Sequence, residues 1–385
     1  MKGDARSTRS STYRSDLPAL VEREHGPAEA LGLPPFAALH PAIERLRTAL
    51  VGVGSERTEI SLRACARRLE GGRPSVRFGA TVRLVIRGPH TLSPVQWQMG
   101  GVAVDPDAWA EDLAATLPHE LRAVEQGHAL GEPWTGTVVL DPWVAALLVH
   151  ECVGHTSEAD NYLDYVRPAG ASPEEARPDG PALGHRWTHA ALTVIDDPTL
   201  PDRIGSYVVD DEGRPAAPTV VVDRGVWTGL LHDRTSAATM SALRSGNGRR
   251  VVGASTVMPR MSVLTALPGD HALEHLLGEI DDGWYCSGSW GAGSMGRRFM
   301  LRPTHARRIR EGRLQDQYLR RFDLRGDKLA TIAAIDAVGD EARAFDPAFG
   351  CDKNGQNDLP VSFGAPHLRL RGITLVPMKA PRSRR

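Results

Sequence analysis

Cysteine is scarce, with four in 385 residues, Cys65, Cys152, Cys286 and Cys351, and no C-x-x-C pair among them. That pattern predicts no disulfide framework and a reducing compartment. Lysine is equally scarce: nearly all of the 46 basic residues are arginine, a bias of genome composition that weakens any argument from arginine-rich patches. Charge of either sign is not in excess, and a net charge of −1 leaves no general affinity for nucleic acid. The apolar run Trp143 to Val149 falls short of the about 20 residues that a membrane helix needs. The first 20 residues are rich in Ser, Thr and Arg and lack an apolar core, so no secretion signal is expected in them. A flexible tail is expected over residues 1–24 and a basic one over 379–385, and the chain is expected in the cytoplasm. No repeat of solenoid period is present. What remains is an ordinary composition, 41% hydrophobic, enough for a sizeable core in two domains or so.

Against that background one stretch stands out. His150-Glu151-Cys152-Val153-Gly154-His155 sets two imidazoles and one carboxylate together at the end of an apolar run. These are the groups that zinc-assisted hydrolysis requires. The spacing is unusual, because the two histidines stand five residues apart, not the four of the H-E-x-x-H helix. At roughly 100° per residue, five positions leave the two side chains diverging by about 140° in an ideal helix. The spacing therefore predicts a helix distorted at or beside Gly154, where glycine permits backbone angles that other residues avoid. Taken alone, the motif leaves open a buried histidine satisfied within the core.

The carrier helix is legible from its start. Asp141 is its N-cap and Pro142 its first residue. The unbroken apolar run that follows predicts burial on all sides, and Thr137 to Leu140 before it reads as a strand. In front of the motif, Pro34 to Val51 reads as a helix and Thr58 to Arg87 as strands. Behind it, Thr219 to Val222 and Val226 to Leu231 form an expected hairpin across Asp223-Arg224-Gly225. Leu273, Leu276, Leu277 and Ile280 repeat at helical spacing, with Gly283 as the stop. The glycine-rich stretch Gly288 to Gly296 reads as a mobile loop outside the context of a phosphate-binding loop. The expected fold class is α+β, with large antiparallel sheets around a buried helix at residues 131–378 and a small mixed α/β domain at 25–130.

Three stretches resemble the TldD/PmbA family of zinc peptidases, in order and in wording. They are TVVLDPWVAALLVHECVGHTSEAD from Thr137 to Asp160, the segments GSYVVDDEG, GVWTGLLHDRTSA, GNGRR and MPRM between Gly205 and Met261, and GCDKNGQNDLPVSFGAPHLRLRGITLVP from Gly350 to Pro377. The resemblance implies that Cys351 joins His150 and His155 as the third zinc ligand. Two imidazoles, a thiolate and an open position make a catalytic site. It further implies Glu151 as the base that takes a proton from the attacking water and hands it to the leaving amine. The implied substrates are short or unfolded peptides held through their backbones beside a sheet edge. Dimers are implied too, often of a zinc-bearing subunit with a zinc-free relative, this chain being the zinc-bearing one. The other three cysteines lack that context, and Cys152 is expected to point away from the metal. Before about residue 130 the likeness is weak, and the front domain reads as shortened.

Two further segments offer substrate contacts, His232 in His232-Asp233-Arg234 and Arg249 in Gly246-Asn247-Gly248-Arg249-Arg250, by placing positive charge or a hydrogen-bond donor near a polarised carbonyl. A structural turn with a surface ion pair is the competing account of both. Two other functions stay open at this point. One is amide hydrolysis of a small modified amino-acid conjugate in natural-product biosynthesis. The other is a non-catalytic partner subunit that uses zinc only to fix its fold, although a structural site would have no use for Glu151.

Overall fold

A computed structural model describes residues 3–69, 74–88, 92–166 and 182–378. The closing basic stretch expected as a tail lies outside these residues. The chain is α+β, built around one five-stranded and one fourteen-stranded sheet.

The five-stranded sheet is antiparallel throughout, in the order Val21–His25, Ala5–Arg14, Arg57–Arg68, Ser75–Arg87, Leu92–Gly101. The opening residues are thus not a tail. Ser7, Arg9 and Ser11 alternate inward along Ala5–Arg14, and the strand pairs residue by residue with Arg57–Arg68 from Ala5 to Arg14. Its polar composition hides a period of two that only the pairing reveals. The helix expected over Pro34 to Val51 divides into a short 3₁₀ turn at Phe36–Ala38 and the helix His40–Ala49, with Pro41 in its first turn. A second helix, Pro106–Gln126, starts at Asp105, whose carboxylate accepts from Ala108 N–H at 3.0 Å. Both helices share an apolar core with the sheet, drawing on Ile43, Leu46, Ile60, Val82, Trp109 and Leu113.

The large sheet is organised by its last strand, Ser362–Pro377. It pairs antiparallel with Trp134–Leu140, Phe322–Asp327 and Ile335–Phe345, and parallel with Val263–Ala266. A second parallel pair joins Trp134–Leu140 to Asp282–Ser287, so the sheet is mostly but not wholly antiparallel. Three local expectations change. The helix over Leu273 ends at Gly278, and Gly283 lies in the strand Asp282–Ser287, where pairing to Thr137 and Ile309 takes over. The hairpin turns at Arg224 and Gly225, both at positive φ as a two-residue turn demands, but its second strand stops at Trp227. The expected mobile loop is a hairpin instead: Gly291–Met295 pairs with Arg298–Arg302 from Gly291 to Met295. Glycine's low strand propensity concealed it.

Candidate metal centre

The carrier helix begins as expected, with Asp141 Oδ1 accepting from Val144 N–H at 2.8 Å, and runs α-helical over Pro142–Leu148. Over Val149–Gly154 it widens into a π-turn, and His155 N–H donates to the carbonyl of His150. A π-turn closes i to i+5, so it brings onto one face the two residues that an α-helix would separate. The rings of His150 and His155 then lie 4.9 Å apart, edge to face. Five-residue spacing and the π-turn are the same fact seen in sequence and in backbone.

Gly154 sits at the end of this turn for a reason other than the expected one. Its φ of −58° is ordinary helical backbone. What it lacks room for is a side chain: a Cβ there would meet Met261 Sδ at 2.0 Å and Leu264 Cδ2 at 2.8 Å. The glycine lets the π-turn press against the strand Val263–Ala266 and the residues just before it.

Cys351 arrives from the short hairpin Cys351–Lys353 with Gln356–Leu359. Its Sγ lies 3.4 Å from His155 Nε2, and one ligand atom from each of His150, His155 and Cys351 falls within 4.8 Å of the others. All three residues are buried. Burial works against the Cys351 thiolate, but His155 and His150 outweigh it and hold the thiol's pKa well below the usual range. Burial likewise works against a charged His155, while Cys351 and Glu158 raise its pKa. Each of Cys351 and His155 thus favours the charged form of the other. Two imidazoles and a thiolate are the donors of a transition-metal site. His150 Nδ1 is buried with no hydrogen-bond partner among the described residues, so the donor set is one polar partner short. The residues fit a metal ion.

A second layer that sequence reasoning missed holds the first. Glu158 Oε2 accepts from His155 Nδ1 at 2.9 Å, which leaves Nε2 facing Cys351. A carboxylate behind a ligating imidazole fixes its tautomer and raises its basicity. Glu158 is fully buried, and Lys353 Nζ at 3.0 Å, Asn161 Nδ2 at 3.0 Å and Arg260 Nε at 3.8 Å surround it. Burial opposes its charge; Lys353, His155 and Arg260 overcome that and lower its pKa. Arg260 Nη2 also donates to the Cys351 carbonyl at 2.8 Å, tying the thiolate's backbone to the same cluster. Acidic residues trailing the motif, and the arginine of MPRM, were the signals available for this layer.

Glu151 occupies the π-turn beside His150 and lines a cavity of about 910 Å³ with His150, His155 and Cys351. Cys152 points into the apolar core, as expected. His232 and Arg249 do not line that cavity. His232 is buried, with Nδ1 3.2 Å from Ser236 Oγ at the start of the helix Arg234–Met240. Arg249, 2% exposed, donates to the Met261 carbonyl and lies 4.9 Å over the Tyr207 ring. Both are packed framework, and Arg249 supports the residue that presses on Gly154.

Comparison with known proteins agrees with this picture. A family model described as the PmbA/TldA metallopeptidase C-terminal domain matches residues 134–376. A protein of Methanothermobacter thermautotrophicus named "Metalloprotease" is 35% identical over 237 residues, covering 61% of this chain and 48% of that protein. Its namesake in Archaeoglobus fulgidus is 32% identical over 304 residues, covering 77% and 66%. The chain spans about half the length of the first of these. In fold, the crystal structure of TldE from Thermococcus kodakarensis superposes with a TM-score of 0.66 at 13% identity, covering 97% of this chain and 96% of that one.

Proposed function

The chain belongs to the PmbA/TldD metallopeptidase family, and from that premise we propose that it is a zinc-dependent hydrolase of amide bonds in short or unfolded peptides. One observation carries the reading: a π-turn and a distant hairpin bring His150, His155 and Cys351 within 4.8 Å, with Glu151 in the same turn and on the same cavity. The thiolate favours zinc over the harder cations. When bound, zinc would supply Lewis acidity toward a carbonyl and a water.

The rest is work for the chain's own side chains. Glu151 takes the proton of the attacking water and delivers it to the departing amine. Glu158 keeps His155 turned with Nε2 toward the ligand cluster. Among the described residues, the strand Gly291–Met295 pairs with Arg298–Arg302 alone, and it borders the cavity. It therefore offers a free edge where an extended peptide can lie, held through its backbone. Association with a second chain of the family and a cytoplasmic setting belong to the same proposal.

Glu151→Gln tests the reading, because the amide is nearly isosteric and cannot take the proton. It is expected to keep the metal of the parent chain and to lose peptide turnover by at least about 100-fold. Parental turnover in Glu151→Gln would remove the hydrolase reading.

A further inference from the structure

Two of the chain's few lysines, Lys328 and Lys353, stand in the wall of the cavity. They are in opposite circumstances. Lys353 is saturated, with Nζ 3.0 Å from Glu158, 2.7 Å from Asp160 and 3.1 Å from the Pro259 carbonyl. Lys328 is just as buried, at 5% exposure, yet among the described residues its ammonium makes no hydrogen bond and no ion pair. Its Nζ is not among the side-chain atoms closed off without a partner, so the ammonium opens onto the cavity and is free to pair with an anion there.

The backbone around Lys328 is fixed as if to hold it there. Its N–H donates to the Arg297 carbonyl at 2.8 Å. Asp327 caps the helix Lys328–Ala333 by accepting from Leu329 and Ala330 N–H at 3.0 and 3.1 Å, and is held by Arg297 Nε at 2.8 Å. Asp327 is thus spent on capping and on Arg297. Burial pushes the Lys328 ammonium's pKa down, and Cys152 and Glu151 oppose that push. In a chain that uses arginine almost everywhere, this position carries a compact point charge without a forked partner.

We propose that Lys328 is the site's receptor for an anionic oxygen of the substrate. The oxygen either belongs to a carboxylate that the substrate brings or is the carbonyl oxygen that becomes negative as the amide is attacked. The inference rests on the hydrolase reading of this cavity. A purely structural lysine would be paired as Lys353 is.

The experiment uses the full chain with Lys328 kept, changed to Gln, or changed to Arg, and two probes, pentaalanine with a free C-terminal carboxylate and its C-terminal amide. Binding is read by calorimetry on a Glu151→Gln background, and turnover on the Glu151 chain. If the oxygen is the substrate's own carboxylate, Lys328→Gln weakens the free acid by about tenfold or more and leaves the amide unchanged. If it is the reacting oxygen, kcat falls by roughly 100-fold for both probes with KM unchanged. Lys328→Arg restores part of the loss in either case. Metal content and thermal unfolding, expected at the parental values, separate a lost receptor from a collapsed site. Parental affinities and parental kcat in Lys328→Gln overturn the proposal. The binding arm requires no turnover, so a parent chain that binds the probes and cleaves neither counts against the hydrolase reading alone.

Discussion

His155 depends on a residue outside its motif. Glu158, three positions on, accepts from its Nδ1 and leaves Nε2 for the metal. Glu158→Gln is therefore expected to weaken zinc affinity by about 10–100-fold while the chain stays folded, as read by competition with a chromophoric chelator. Affinity within error of the parent would show that the carboxylate does not orient the ring. The metal-free charges carry a second consequence. Cys351 is held as thiolate while His155 has a raised pKa, and His155 must lose its proton to ligate. Metal binding thus releases a proton, and affinity rises with pH until His155 is neutral. Calorimetry in buffers of different ionisation enthalpy is expected to register about one proton released near neutral pH. His150, Glu151 and His155 stood out in the sequence because imidazole and carboxylate announce their chemistry, whereas Cys351 was singled out only by the resemblance to the family. Glu158 and Lys328 did not stand out: a single carboxylate or ammonium acquires meaning only from what surrounds it.

The π-turn is the element on which the site is built, and it can be strained at one point. In Gly154→Ala the new methyl would enter space already filled by Met261 Sδ and Leu264 Cδ2. A destabilisation of roughly 1–3 kcal/mol is expected, together with weaker metal binding as the turn moves off. Urea unfolding measures the first, and Met261→Ala in the same chain should recover part of it through coupling of the two sites. A Gly154→Ala chain as stable as the parent would mean that the strand yields easily. The need for a distortion here followed from the five-residue spacing alone. Its cause did not, since Met261 lies 107 residues downstream of Gly154 in the sequence and close packing leaves no local trace. The same limit hid the Gly291–Met295 strand and the opening strand Ala5–Arg14. Their residues have weak strand propensity, and it is long-range pairing that selects the conformation.

Across the whole molecule, a cluster of ion pairs at one carboxylate ties the front sheet to the hairpin of Cys351. Asp358 closes the hairpin of Cys351: its Oδ1 accepts from Gly350 N–H at 2.8 Å, and its own N–H donates to Asp352 at 2.7 Å. Arg6, Arg63 and Arg77, one from each of three strands of the five-stranded sheet, converge on it at 2.5 to 2.7 Å. Burial alone would raise its pKa, but Arg77 and Arg63 outweigh it and bring it down to about 2. A carboxylate lowered on folding stabilises the fold above its unfolded pKa near 3.8, and that stability is lost as pH falls toward 2. Asp358→Asn should therefore cost roughly 2 kcal/mol at neutral pH, with the difference from the parent shrinking below pH 4. Equal stability of the two chains at pH 7 in urea would refute the clamp. No helix of the described residues is long and apolar enough to cross a membrane, which agrees with the short apolar run seen in the sequence. The α+β class was readable from alternating strands around one apolar helix. The arginine clamp between front sheet and ligand hairpin was not, because its partners are scattered from Arg6 to Asp358.

The central claim is that three residues from two distant segments hold one zinc ion. Elemental analysis of the purified chain beside His155→Ala and Cys351→Ala tests it directly. The account predicts about one zinc per parent chain and loss of it in both variants, each still folded. Zinc retained at the parental level in either variant would contradict it.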